Sequence, residues 1–223
     1  MTARTESELQ DALDEALAWR RIELSAIQGE VERLTRTSPD KPLTRALIRG
    51  GTALVYAHWE GYLKEACQHY LDFVAMRRLR FAELNDGIAI SALKDILRRI
   101  DSGDAAAEVA ALQIIRRPSH ARPSMVRKNS ISTQSNLRFS VLCGIFERLG
   151  LPTISFETKK NFIDKSLCDA RNDIAHGRDH YPDPAGFAGT LRDTVLMMEE
   201  ARALVLAHAR TQGYRATLDP TPN

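Results

Sequence analysis

Residues 43–79 read LTRALIRGGTALVYAHWEGYLKEACQHYLDFVAMRRL, and this run decides the fold class. Ile48, Val55, Trp59, Leu63, Ala66, Tyr70 and Phe73 recur at intervals of three, four and seven residues. That period predicts one long helix with an apolar stripe and excludes a strand, which would alternate every second residue. The adjacent Gly50-Gly51 weakens helix propensity, so the pair marks either close packing against a neighbour or a local bend.

Working outward, Leu9, Leu13, Leu17, Leu24, Ile27, Val31 and Leu34 predict a first long helix over 6–37, ended by Ser38-Pro39-Asp40-Lys41-Pro42. Downstream, helices are expected over 88–100 and 105–117, from a Thr133 or Ser135 cap to Leu149, over 157–176, and over 185–211. In the last of these, Phe187, Leu191, Val195, Met198 and Val205 should face inward. Sustained period-two alternation is absent, leaving at most a short pairing near 124–132. The expected architecture is an all-α helical bundle with two long N-terminal helices, forming a single domain over 1–223. A basic, partly irregular segment interrupts it at about 102–132.

Composition narrows the function. With 223 residues, 43% hydrophobic and 27% charged, the chain is neither disordered nor low-complexity. No apolar run reaches the roughly 18–20 residues of a membrane span, and the acidic N-terminus is unlike a signal peptide. Cys67, Cys143 and Cys168 are widely spaced and odd in number, which suits neither a disulfide framework nor paired zinc ligands. The expected location is therefore the cytoplasm. Phosphate-cradling glycine loops and nucleophile elbows are missing, which removes P-loop enzymes and α/β-hydrolases.

The net charge of +2 conceals a segregation. Between Val109 and Phe146 there is no Asp or Glu, while Arg116, Arg117, Arg122, Arg127, Lys128 and Arg138 supply six cations, leaving a remainder of −4. The first five are candidate RNA-binding residues, since clustered cations release counterions from phosphates. A solvated arginine-rich loop is the competing reading.

The chemistry is concentrated in Ile163-Asp164-Lys165-Ser166-Leu167-Cys168-Asp169-Ala170-Arg171-Asn172-Asp173-Ile174-Ala175-His176-Gly177. His176 can exchange protons near neutral pH, and Arg171 can hold a phosphate by paired hydrogen bonds. Asn172 and Asp173, three or four positions before His176, share its side of a helix and are candidates to orient the imidazole. These types suit RNA cleavage without metal. Equally, a His at a helix C-terminus opposes the dipole favourably, and Arg171 can form surface pairs with Asp169 or Asp173.

Arg171-Asn172-Asp173-Ile174-Ala175-His176 resembles the R-N-x-x-A-H form of the signature of HEPN domains, an all-α superfamily. Tyr56-Ala57-His58-Trp59-Glu60-Gly61-Tyr62, Ser132-Thr133-Gln134-Ser135-Asn136-Leu137 and Leu149-Gly150-Leu151 leading to Ile163-Asp164 resemble its MAE-type and RiboL-PSP-associated branch. The resemblance implies a metal-independent endoribonuclease with no cofactor. It would act as a toxin or antiphage effector, with Arg171 and His176 of two copies facing one cleft of a homodimer and an antitoxin or sensor on another chain. Arg178 stands where tyrosine-modified HEPN toxins carry a Tyr, so that mode of silencing is not implied. The rival within the same fold is a non-catalytic module that binds RNA or protein.

Glu60 is a further site candidate, either a partly buried carboxylate beside Arg171 and His176 or a surface partner of Lys64. His58, two residues before it, reads as a semi-buried histidine. His176 and His180 with Asp179 or Asp183 imitate a metal set, but Gly177 and Pro182 deny them a shared helix, so no metal site is expected. Trp59, Tyr62, Tyr70 and Phe73 are either base-stacking platforms or core. Ser132 to Asn136 reads as a capping segment, in which the Asn136 amide could also donate a hydrogen bond to a phosphate.

Overall fold

The computed structural model describes residues 2–117, 120–123 and 131–217. Its helices are α1 (Glu6–Thr37), α2 (Pro42–Met76), α3 (Asp86–Asp101), α4 (Ala105–Arg116), α5 (Phe139–Leu149), α6 (Ile154–Glu157), α7 (Ala170–Ala175) and α8 (Pro184–Arg210). A π-helical stretch, Phe162–Asp169, runs directly into α7. Among the described residues there is no strand, only an isolated antiparallel bridge between Leu84 and Arg215. The protein is all-α.

Local chemistry explains the three long helices. Thr5 and Glu8 close a capping box on α1, the Glu8 N–H donating to Thr5 Oγ1 at 3.1 Å. Pro42 and Pro184 occupy first-turn positions, where a missing N–H costs nothing, and Asp183 caps α8 by accepting from the Gly186 N–H at 2.6 Å. The stripes on α1, α2 and α8 pack into one core in which Trp59, Tyr62, Tyr70, Phe73 and Phe187 are fully buried. These α2 aromatics are therefore core and offer no face for a base. Gly51 marks close packing, since a Cβ there would lie 2.8 Å from the Phe187 ring, while Gly50 faces open space.

Three boundaries differ from the sequence expectation. The helix α2 stops at Met76 instead of 79, because Arg78 turns the chain with φ +53°. The helix expected from Thr133 or Ser135 begins only at Phe139. Residues 132–136 form a turn with Gln134 and Ser135 both left-handed, and the Ser132 hydroxyl accepts from the Gln134 N–H. The cap of α5 comes instead from Asp164, whose carboxylate accepts from the Phe139 N–H at 2.8 Å. The continuous helix expected over 157–176 is divided: α6 ends in a turn after Glu157, and the helical run that resumes at Lys160 turns to π winding from Phe162. The pairing near 124–132 falls mostly outside the described residues.

No helix among the described residues is long and apolar enough to cross a membrane.

Candidate functional site

The helix α7 is short and ends by design. The His176 N–H donates to the Asn172 carbonyl at 3.0 Å and the Gly177 N–H to Ile174 at 3.1 Å. Gly177 then takes φ +72°, a conformation side chains resist. His176 is thereby left exposed at the helix tip, its imidazole unpaired among the described residues.

Arg171, one turn earlier, faces α2. Its guanidinium carbon lies 4.3 Å from the centroid of the Tyr56 ring, and its Nη2 donates to the Ser135 carbonyl at 2.8 Å. The Tyr56 hydroxyl in turn accepts from the Leu137 N–H at 2.7 Å. Burial pushes the Tyr56 phenol up to about 12; Leu137 and Arg171 oppose the rise, while the nearby Glu60 carboxylate adds to it. Tyr56 thus stays a neutral phenol at physiological pH. Half-buried Glu60 lies one helical turn beyond Tyr56 and forms no ion pair with Lys64.

The carboxylates nearest Arg171 in sequence are committed elsewhere. Asp169 accepts from Arg138 at 2.6 Å and Lys165 at 2.9 Å, and these partners hold its carboxyl below the usual range. Asp173 pairs with Arg178 at 2.8 Å and lies 4.0 Å from His180 Nδ1. It therefore braces the loop after α7 and does not orient His176. Asn172 supplies its carbonyl to the His176 N–H, and its side chain is half-buried. Among the described residues Arg171 has no carboxylate partner, and its Nε is buried with no hydrogen bond. The surface-pairing reading of Arg171 fails on these contacts.

The loop after α7 is stitched to the start of α2. Arg49 donates to the carbonyls of Arg178 and His180, both at 2.8 Å, and Arg45 and Arg49 pair with Asp179. Asp179, considered above as a metal ligand, is thus an arginine partner. Among the described residues no three His, Cys, Asp or Glu side chains converge in a way that would hold a metal.

His58 is buried, 2.9 Å from Glu23, and faces α1 instead of the site. Asn136 has a buried Oδ1 without a partner among the described residues. Arg116, Arg117 and Arg122 are exposed, the first two at the end of α4, which packs on α3. Arg127 and Lys128 lie outside the described residues.

Tyr56 and Ser135 are the site residues that sequence reasoning missed. Tyr56 stands four residues before Glu60, so both lie on one side of α2, and that spacing was the available signal. The Ser135 contact is made by a backbone carbonyl and carries no side-chain signal.

Comparison with curated proteins and with solved structures gives no match. The model of the RiboL-PSP-HEPN family matches residues 15–200, which spans the described core from α1 into α8 and includes Tyr56, Glu60, Arg171 and His176. On that match the chain belongs to the RiboL-PSP-HEPN family.

Proposed function

We propose that the protein is a metal-independent endoribonuclease that works through Arg171 and His176. One observation carries this reading. Among the described residues, a guanidinium on α7 with no carboxylate partner lies over a neutral tyrosine ring, and an exposed imidazole with no partner caps the end of the same short helix. Such a guanidinium keeps its attraction for a phosphate, and such an imidazole is free to accept a proton.

In the reaction, His176 takes the proton of a ribose 2′-OH as that oxygen attacks the adjacent phosphorus. The P–O5′ bond breaks, giving a 2′,3′-cyclic phosphate and a 5′-OH end, with no water nucleophile required. Arg171 holds the phosphate and stabilises its developing charge. Five residues of helix set the two Cα atoms about 7.5 Å apart along the axis and about 140° around it, so one copy presents them to different directions. A twofold partner resolves this by placing a second Arg171 and His176 across the cleft, where the second imidazole returns a proton to the leaving 5′ oxygen. Cleavage of cellular RNA in the cytoplasm by such a dimer would arrest growth, which fits a toxin or antiphage effector restrained by a separate protein.

The test is incubation of purified protein with single-stranded RNA in EDTA, with the growth of expressing cells measured in parallel. Cleavage that disappears in His176→Ala and in Arg171→Ala, with helical content kept, supports the reading. Binding without cutting by the wild type would replace it with the non-catalytic module.

A further inference from the structure

Arg171 is held on two sides by groups from elsewhere in the chain. On one side the Tyr56 ring of α2 lies under its guanidinium at 4.3 Å; on another the Ser135 carbonyl accepts from its Nη2 at 2.8 Å. These supports are joined, because the Tyr56 hydroxyl accepts from Leu137, two residues beyond Ser135. The turn is strained, with Gln134 at φ +54° and Ser135 at φ +59°, and such conformations persist only where surroundings over-determine them. The surroundings do so here: Arg138 is tied to Asp169, and the Leu137 carbonyl accepts from Cys168 Sγ at 3.2 Å.

We infer that Tyr56 is a positioning residue that holds the Arg171 guanidinium on the scissile phosphate, its ring supporting the cation and its hydroxyl fixing the turn that grips it. The inference rests on the ribonuclease reading above. Its physical content is preorganisation. An arginine side chain free in water loses several rotors when it meets a phosphate, whereas one already clamped loses few. Ser135 takes one Nη2 hydrogen and the guanidinium also reaches the Tyr56 hydroxyl, and with five N–H donors it retains others for a phosphate. The ring side is closed to water and strengthens the cation's interactions by lowering the local dielectric. The phenol suits this task because it remains un-ionised, and a phenolate there would pair with Arg171 and compete with the phosphate.

The Tyr56 variants are made in the full chain and read by single-turnover cleavage at saturating RNA in EDTA. A double-mutant cycle with Arg171→Ala is read by affinity for an oligonucleotide with a 2′-deoxy cut site, which internal attack cannot cleave. Tyr56→Leu should slow cleavage roughly three- to thirtyfold, the range expected for losing a partly desolvated cation–π support. Tyr56→Phe should restore most of that rate, since the ring returns and only the hydroxyl's contacts with Leu137 and Arg171 are lost. In an Arg171→Ala background, where cleavage is gone, neither change should weaken affinity for the 2′-deoxy oligonucleotide any further.

Losses at Tyr56 that add in full to Arg171→Ala overturn the inference, as do losses that vanish when rates are corrected for the folded fraction. If Tyr56→Leu fails to fold, Tyr56→Phe tests the hydroxyl alone: a loss of affinity seen with Arg171 and absent in Arg171→Ala upholds the clamp, and a loss of equal size in both overturns it. If the wild type does not cleave, the ribonuclease reading falls alone, and the cycle on affinity decides: weakening by Tyr56→Leu only when Arg171 is present upholds the clamp. A wild type that neither cleaves nor binds the oligonucleotide overturns both.

Discussion

Gly50 and Gly51 are neighbours in α2, yet alanine should stabilise the chain at Gly50 and fail to do so at Gly51. Both substitutions gain about 1 kcal/mol of helix propensity, because glycine loses more backbone freedom on folding. At Gly50 no heavy atom lies within 4 Å of the new Cβ, so that gain is kept. At Gly51 the new atom meets Phe187 Cε2 at 2.8 Å, Phe187 Cζ at 2.9 Å and Ile27 Cδ1 at 3.1 Å. Carbon contacts are comfortable at about 3.5–4.0 Å, so the ring has to retreat by roughly 0.7 Å. Phe187 is only 1% exposed and has nowhere to go without disturbing α8. Overpacking of this kind costs about 1–3 kcal/mol. The helix terms cancel between the two variants, so their difference isolates packing. At about 2–4 °C per kcal/mol for a chain of this size, Gly50→Ala should melt about 2–12 °C above Gly51→Ala. Urea unfolding with matched m-values gives the same comparison as a free energy. Equal stabilisation by both substitutions would refute the close approach of α2 to α8.

A homodimer is expected at micromolar concentration by sedimentation or light scattering, and a monomer fully active far below any dissociation constant would remove the composite site. Replacing Arg116, Arg117, Arg122 and Arg127 by Gln should weaken RNA binding and flatten its salt slope, about −2 to −3 if three or four contacts are made, with saturated single-turnover cleavage nearly unchanged. An unaltered slope would reduce these residues to a solvated loop. Stability should also fall on mild acidification. Burial depresses the pKa of His208, which lies 2.6 Å from the Tyr70 hydroxyl, so the folded chain keeps it neutral while the unfolded chain protonates it near 6.5. That contribution is complete above about pH 6.5 and is lost as pH falls toward the depressed folded value. His208→Gln should flatten the melting temperature between pH 6.5 and 5, and an unchanged slope would contradict the assignment.

The long helices were legible because everything that defines α1, α2 and α8 is local. Their apolar stripes repeat within one helix, and Thr5, Pro42 and Asp183 act within three residues of themselves. The start of α5 was illegible for the opposite reason. The Ser/Thr/Asn run at 132–136 has the composition of a cap and spends it on a turn, while the working cap, Asp164, is 25 residues away. The same division runs through the site. Arg171, His176 and Glu60 could be singled out by residue type and spacing, but the clamp on Arg171 joins α2 to a turn and to α7, and no one-dimensional period encodes a three-way contact.

One part of the site was nevertheless decidable from the sequence by arithmetic alone. Asp169 and Asp173 stand two residues before and two after Arg171, and two helical residues are separated by about 200°. Neither carboxylate therefore shares a helix face with the guanidinium, which disfavours a surface pair within the helix. The structure follows this geometry, sending Asp169 to Arg138 and Lys165 and Asp173 to Arg178. A cation flanked by acids at two-residue spacing is thus shielded from both of them. It keeps its charge for a partner from outside the helix, which is the property a phosphate-binding arginine needs.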